Sequence, residues 1–174
     1  MTVTLATLMM TCAPLVHPTT LRALIEVESA GNPYAVSVNY PHSLHNAGVD
    51  PPVFAQPHSR REAIELTGRL LAKGFSTSVG LAQINVEHLN GWALRLTDLF
   101  NPCVNLALAQ RVLLDCDSQQ SRRGTAARER LRRTLVCYNA GDAQGEAQSP
   151  YASDIARAAA RHLRISISPM RGSG

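Results

Sequence analysis

Leu21, Leu24 and Ile25 share one face of a helical reading, and the next position on that face is Glu28. Burial disfavours the charged form of a carboxyl and raises its pKa. A carboxylic acid that stays protonated near neutral pH is what general acid catalysis requires. The competing reading makes Glu28 a rim residue whose carboxylate reaches water. Glu26 points elsewhere on the helix and can pair with Arg22, four residues earlier. Tyr138 extends the stripe of Leu131 and Leu135, so it is turned toward the core. Asp50, in a Pro-rich stretch, and Asp98, ahead of a helix, read as turn or cap residues. His42, His45 and His58 lie in an irregular stretch without metal-ligand framing and read as surface histidines. No metal and no cofactor is called for.

The elements that would position these groups are mostly helical. Pro18-Thr19-Thr20 opens a first helix, and the breakers Ala30-Gly31-Asn32-Pro33 end it. Residues 34 to 58 are irregular, with short strands around Ala35 to Asn39. Ser59 with Glu62 three residues on forms a capping box for a second helix with the stripe Ala63, Leu66 and Leu70, ended by Gly74. Phe75 to Asn85 reads as a tight, glycine-containing turn leading to a short helical piece. Pro102 opens a third helix over about Cys103 to Cys116, apolar on nearly all sides and so placed at the centre of the domain. Asp117 to Gly124 reads as a polar loop, followed by a core helix from about Thr125 to Asn139, capped by Gly141. A final helix covers about Tyr151 to Leu163. The predicted organisation is an N-terminal segment over 1–17, one domain over 18–164 and a loose tail over 165–174.

The 174 residues suit one domain of ordinary size, and 45% hydrophobic with 17% charged residues suits a packed core rather than a disordered chain. A net charge of +4 favours an anionic partner: nucleic acid, an anionic membrane or an acidic polymer. The arginine run Arg122, Arg123, Arg128, Arg130, Arg132 and Arg133 reads as a solvated helix face. It lacks the aromatic interleaving of a nucleic-acid surface, so no specific nucleic-acid partner is expected. Cys12, Cys103, Cys116 and Cys137 allow two disulfides in three pairings, or four buried thiols, and no CxxC pair suggests a zinc knuckle. Met1 to Thr11 is mildly apolar without Lys or Arg, and reads either as the end of a longer export signal or as an ordinary N-terminal segment. No stretch is long and apolar enough to span a bilayer.

Four segments, in order and with suitable spacing over about residues 18 to 160, carry a resemblance. Glu28-Ser29-Ala30-Gly31-Asn32-Pro33-Tyr34-Ala35-Val36-Ser37 resembles the catalytic motif of lytic transglycosylases of the goose-lysozyme-like superfamily. Gly80-Leu81-Ala82-Gln83-Ile84-Asn85 resembles that family's Gly-Leu-Met-Gln-Ile motif. Asn101-Pro102-Cys103-Val104-Asn105-Leu106 resembles its Asn/Asp-Pro turn with an Asn opening the central helix. Cys137-Tyr138-Asn139-Ala140-Gly141 resembles its Ala-Tyr-Asn-Ala-Gly motif, and Tyr151 fits the aromatic residue expected after it. Ala82 and Cys137 depart from the usual residues but remain small or apolar. The cysteines and the long first spacer resemble the specialised transglycosylases of type IV secretion systems.

The resemblance implies a mainly α, α+β lysozyme-like fold with a small β region between the first two motifs. It implies cleavage of the MurNAc-β-1,4-GlcNAc bond of peptidoglycan with formation of 1,6-anhydroMurNAc, opening murein locally for a secretion or conjugation apparatus in the periplasm. Glu28 would be the acid and Tyr138 would orient it. Ser29 would donate to sugar or acid, and Gln83, Asn139 and Tyr151 would contact the glycan. Gly80 would leave room for the strand. The implied disulfides pair Cys12 with Cys103 and Cys116 with Cys137. The partners implied are glycan strands and secretion-system components. Two alternatives share the fold: a muramidase that uses water, as goose-type lysozymes do, and a murein-binding assembly factor without chemistry.

Overall fold

A computed structural model describes residues 4–39, 50–141 and 150–167, with the side chains of 128 and 164–167 outside that description. His42, His45, the Arg128 side chain and most of the predicted tail lie outside the described residues. By its contacts the chain divides into two compact units, residues 1–13 with 28–109, and residues 14–27 with 110–174. The boundaries fall inside two helices, α2 (Pro18–Ser29) and α5 (Pro102–Arg122).

The first unit contains α1 (Leu5–Cys12), the end of α2, α3 (Arg60–Ala72), the short α4 (Leu89–Trp92) and the first half of α5. The Thr4 side chain caps α1 by accepting from the Thr7 N–H, and Met9 and Cys12 are its buried residues. The capping box of α3 forms in shifted guise. Ser59 Oγ accepts from the Glu62 N–H at 3.3 Å, while the Glu62 carboxylate reaches one residue past the cap to the His58 N–H at 3.0 Å. That backbone donor holds the Glu62 carboxyl below the usual glutamate value.

Three strands, β1 (Val36–Asn39), β2 (Ser76–Val79) and β3 (Ile84–Asn85), form an antiparallel sheet in the order β1-β2-β3. Val36 pairs with Val79 and Asn39 with Ser76, while Val79 pairs with Ile84. β1 lies where short strands are predicted. β2 and β3 replace the predicted tight turn, because pairing with β1 satisfies a Ser/Thr-rich segment that reads locally as loop. The outer edge of β1 is closed by a side chain: the Gln56 amide donates to Val36 O at 2.9 Å and accepts from Val36 N–H at 3.0 Å. This pairing ties down the Pro-rich segment after residue 50. Ala63, Val79, Ala82, Leu99, Phe100 and Leu106 are buried here.

The second unit holds most of α2, the rest of α5, α6 (Ala127–Ala140) and α7 (Pro150–Ile167), with α6 packed on α7. α5 does not stop at Cys116. It runs through the predicted polar loop to Arg122, since Gln and Arg are good helix formers and the break comes only at Gly124, where φ is +71°. It is not apolar all round either, as Arg111, Leu114 and Asp115 are exposed. The buried side of α6 is Thr134, Leu135, Val136 and Cys137, and Leu131, expected in the stripe, is 55% exposed. α7 extends to Ile167, into the segment predicted as tail. Among the described residues, no helix is long and apolar enough to cross a membrane.

Glu26 does not pair with Arg22. Its carboxylate meets Arg161 Nη2 at 2.5 Å and His162 Nε2 at 2.8 Å, so α7 supplies both partners. The Arg161 hydrogen bond, with His162 adding to it, holds the Glu26 carboxyl below its ordinary value of 4.5. A depressed folded pKa gives stability that is present above the unfolded pKa and lost as pH falls through the folded value. Wild type should therefore exceed Glu26→Gln in stability at pH 6, and the gap should close as pH falls below 4.5. Denaturant midpoints measured from pH 6 to pH 3 check this, and a gap that widens on acidification would contradict it.

The cysteines pair as Cys12–Cys103 and Cys116–Cys137, the pairing that the resemblance implies, and each bridge closes within one unit. The sequence separations are 91 and 21 residues. Loop-closure entropy then favours the first bridge, at about 4–5 kcal/mol against about 3 kcal/mol. Replacing Cys12 and Cys103 together by Ser should lower the denaturation midpoint more than the same change at Cys116 and Cys137. A reversed order would show that loop length does not govern these bridges.

Candidate active site

α2 ends because Ala30 and Gly31 both take left-handed backbone, φ +51° and +82°. The Asn32 N–H then closes on Ser29 O at 2.9 Å. The Asn32 side chain turns the chain toward β1: its Oδ1 accepts from the Tyr34 N–H at 2.9 Å and its amide donates to Pro57 O at 3.3 Å. Glu28 stands in the last turn of α2, next to fully buried Ile25 on the stripe, and is itself half-buried. It is therefore neither sealed in the core nor a freely solvated rim residue.

The second motif is a turn between β2 and β3, tied down at almost every peptide. Gly80 N–H donates to Ala35 O at 2.9 Å, and Gln83 N–H to Gly80 O at 3.2 Å. Gln83 has left-handed backbone, φ +49°, which costs a non-glycine residue about 1–2 kcal/mol. Its side chain offsets this: the amide donates to Gly80 O at 3.0 Å and Ala35 O at 3.2 Å, and Oε1 accepts from Ser37 Oγ at 2.7 Å. Gln83 thus spends both amide protons on the protein and clamps the turn. Ser29 is committed likewise. Its hydroxyl donates to Leu81 O at 2.8 Å, which ties the end of α2 to the same turn.

Asn105, 1% exposed in the first turn of α5, anchors the same turn from below. Its amide donates to Val79 O and Leu99 O, each at 2.9 Å, and its Oδ1 accepts from the Ala82 N–H at 2.8 Å. Gly80 makes room for this side chain. A Cβ there would lie 2.3 Å from Asn105 Nδ2 and 3.0 Å from Leu99 O. The space beside the Gly80 Cα is therefore filled by Asn105. Glu28, Ser29, Gly80 and Gln83 are in this way gathered in one unit by side chains that the sequence motif places but whose partners it does not reveal.

Tyr138, Asn139 and Tyr151 belong to the other unit. Cys137 is buried and bonded to Cys116, which fixes the phase of α6 and leaves Tyr138 half-buried and Asn139 exposed. Gly141, φ +76°, closes the helix with its N–H on Cys137 O at 2.9 Å. Tyr151 stands in the first turn of α7 and is only 9% exposed. Within the arginine run Arg122 and Arg123 are exposed, Arg130 pairs with Asp117 at 3.0 Å, and Arg132 and Arg133 both pair with Glu129 at the surface. Asp98 is a cap, accepting from the Arg95 N–H at 2.9 Å, and that bond holds its carboxyl below the usual aspartate value. Among the described residues no group of three His, Cys, Asp or Glu is placed to hold a metal ion.

Sequence reasoning missed the parts played by Ser37, Gln56 and Asn105. Ser37 and Asn105 stand inside recognised motifs, which was the available signal; Gln56, in a Pro-rich stretch, carried none.

No solved structure matches the chain significantly. The Brucella abortus protein called type IV secretion system protein virB1 is 35% identical over 135 residues, which is 77% of this chain and 52% of that protein. The Agrobacterium fabrum protein virB1 is 32% identical over 134 residues, 75% of this chain and 49% of its own length. The chain thus spans about half the length of the curated relatives it matches. The family model for the transglycosylase SLT domain matches residues 7–159, which takes in all four motifs together with most of α1, and the chain belongs to that family.

Proposed function

We propose that this chain is a peptidoglycan lytic transglycosylase. The observation that carries the reading is a half-buried glutamate at the end of α2, in a transglycosylase SLT domain, with the next residue tied to the Gly80–Gln83 turn. Glu28 protonates the oxygen of the MurNAc-β-1,4-GlcNAc bond as the bond to C1 breaks. The resulting carboxylate takes the proton of the muramoyl C6 hydroxyl, whose oxygen bonds to C1. The product is a 1,6-anhydroMurNAc end, no water is consumed, and the acid is regenerated. Most glycosidases place a second carboxylate across the bond. Here Asp98 is engaged as a helix cap, which favours intramolecular attack by the sugar hydroxyl.

Tyr138 orients the acid and Asn139 contacts the glycan. The net charge of +4 suits a polymer whose stem peptides bear carboxylates. Two disulfides suit an oxidising compartment, here the periplasm. The likeness to proteins named for type IV secretion supports a role in opening murein locally for such an apparatus, with its components as partners. Incubation with purified sacculi tests the activity: soluble muropeptides should appear with time and enzyme concentration. Sacculi left intact by folded, disulfide-bonded protein would refute it.

A further inference from the structure

One peptide group stands between Asn105 and the helix end that carries Glu28. The unit joining Leu81 to Ala82 is held on both sides. Its carbonyl accepts from Ser29 Oγ at 2.8 Å, and its N–H donates to Asn105 Oδ1 at 2.8 Å. A trans peptide is rigid and points its C=O and N–H in opposite directions. Asn105, the peptide and Ser29 therefore form a continuous line, in which each hydrogen bond polarises the next. The far end of the line cannot rotate. Both Asn105 amide protons are spent on Val79 O and Leu99 O, and turning the amide over would set an oxygen against two carbonyls. The missing Gly80 side chain supplies the slot in which this amide lies. An apolar residue of similar size would fill the volume but could not orient the peptide.

We propose that Asn105 is a positioning residue for Glu28. Through the Leu81–Ala82 peptide and the Ser29 hydroxyl it fixes the last turn of α2, and with it the direction of the Glu28 carboxyl. The proposal rests on Glu28 being the acid. Both bonds of the line, and Glu28 itself, lie within one compact unit.

The test uses Asn105→Ala, Ser29→Ala, the double variant, and Leu70→Ala as a buried cavity control on α3. Carbon NMR of the Glu28 carboxyl should show a titration midpoint moved by about half a unit or more in both relay variants, and unmoved in Leu70→Ala. On murein, kcat per folded molecule should fall about 10–100-fold in each relay variant with KM nearly unchanged, as expected for a misaimed acid. The double variant should be no worse than the poorer single variant, because both remove one line. Leu70→Ala should keep wild-type kcat. Should Asn105→Ala fail to fold, Ser29→Ala decides. An unmoved Glu28 midpoint or wild-type kcat in folded Asn105→Ala, or in Ser29→Ala, would overturn the proposal, as would losses that multiply in the double variant. The titration needs no turnover, so a wild type inactive on murein would refute the activity without touching this test.

Discussion

Glu28→Gln should lower sacculus digestion by about 10²–10⁴-fold, the range that a positioned general acid contributes. The change keeps the shape of the side chain and removes only the transferable proton. Because Glu28 is half-buried at a helix end rather than sealed in the core, the variant should keep the wild-type circular dichroism and disulfides. Glu26→Gln is the matched control, two residues earlier on the same helix. It removes a carboxylate held by Arg161 and His162, so it should change stability with pH while leaving digestion close to wild type. Rates measured on labelled sacculi at equal folded concentration separate the two. Wild-type digestion by Glu28→Gln would remove the acid from the mechanism.

The second large effect is expected at Gly80, and it is one of stability. Gly80 and Gly74 have nearly the same backbone, φ +82° and +81°, but a Cβ at Gly74 meets nothing within 4 Å whereas at Gly80 it meets Asn105 at 2.3 Å. Gly74→Ala should therefore cost only the left-handed strain, about 1–2 kcal/mol. Gly80→Ala adds displacement of a buried amide with three hydrogen bonds, each worth about 1–3 kcal/mol when a buried partner is stranded. The expected cost is about 4 kcal/mol or more, a large share of the about 5–15 kcal/mol that holds an ordinary domain folded. Equal denaturation midpoints for the two alanine variants would show that the turn can move away from Asn105 cheaply.

The parts of the molecule that local chemistry determines were readable from residue types. The breakers after Ser29, the cap at Ser59 and the left-handed Gly141 each act within a few residues, and α2, α3 and the end of α6 stand where they predict. What was not readable depends on partners distant in sequence. Thr77 and Ser78 look like loop residues, yet both are buried once β2 pairs with β1. Leu131 extends an apolar period, but α6 turns instead about the buried Cys137, bonded to Cys116, and Leu131 faces out. The same holds in the candidate site. Ser29 and Gln83 were recognisable as polar motif residues and Gly80 as a motif position that needs space, but their partners within the fold were not. In the fold their hydrogen bonds and space are taken up by Leu81, Asn105, Ala35 and Ser37, so they shape the turn beside Glu28.

The central claim, that a single acid drives attack by the substrate's own hydroxyl, is tested most directly by the chemistry of the product. Purified sacculi digested to completion by wild-type protein, then analysed by mass spectrometry without borohydride reduction, should yield muropeptides ending in 1,6-anhydroMurNAc. Those ends are one water lighter than the hydrolytic product and resist later reduction. Muropeptides ending in reducing MurNAc would contradict the account, since they require water as the nucleophile and a group to activate it.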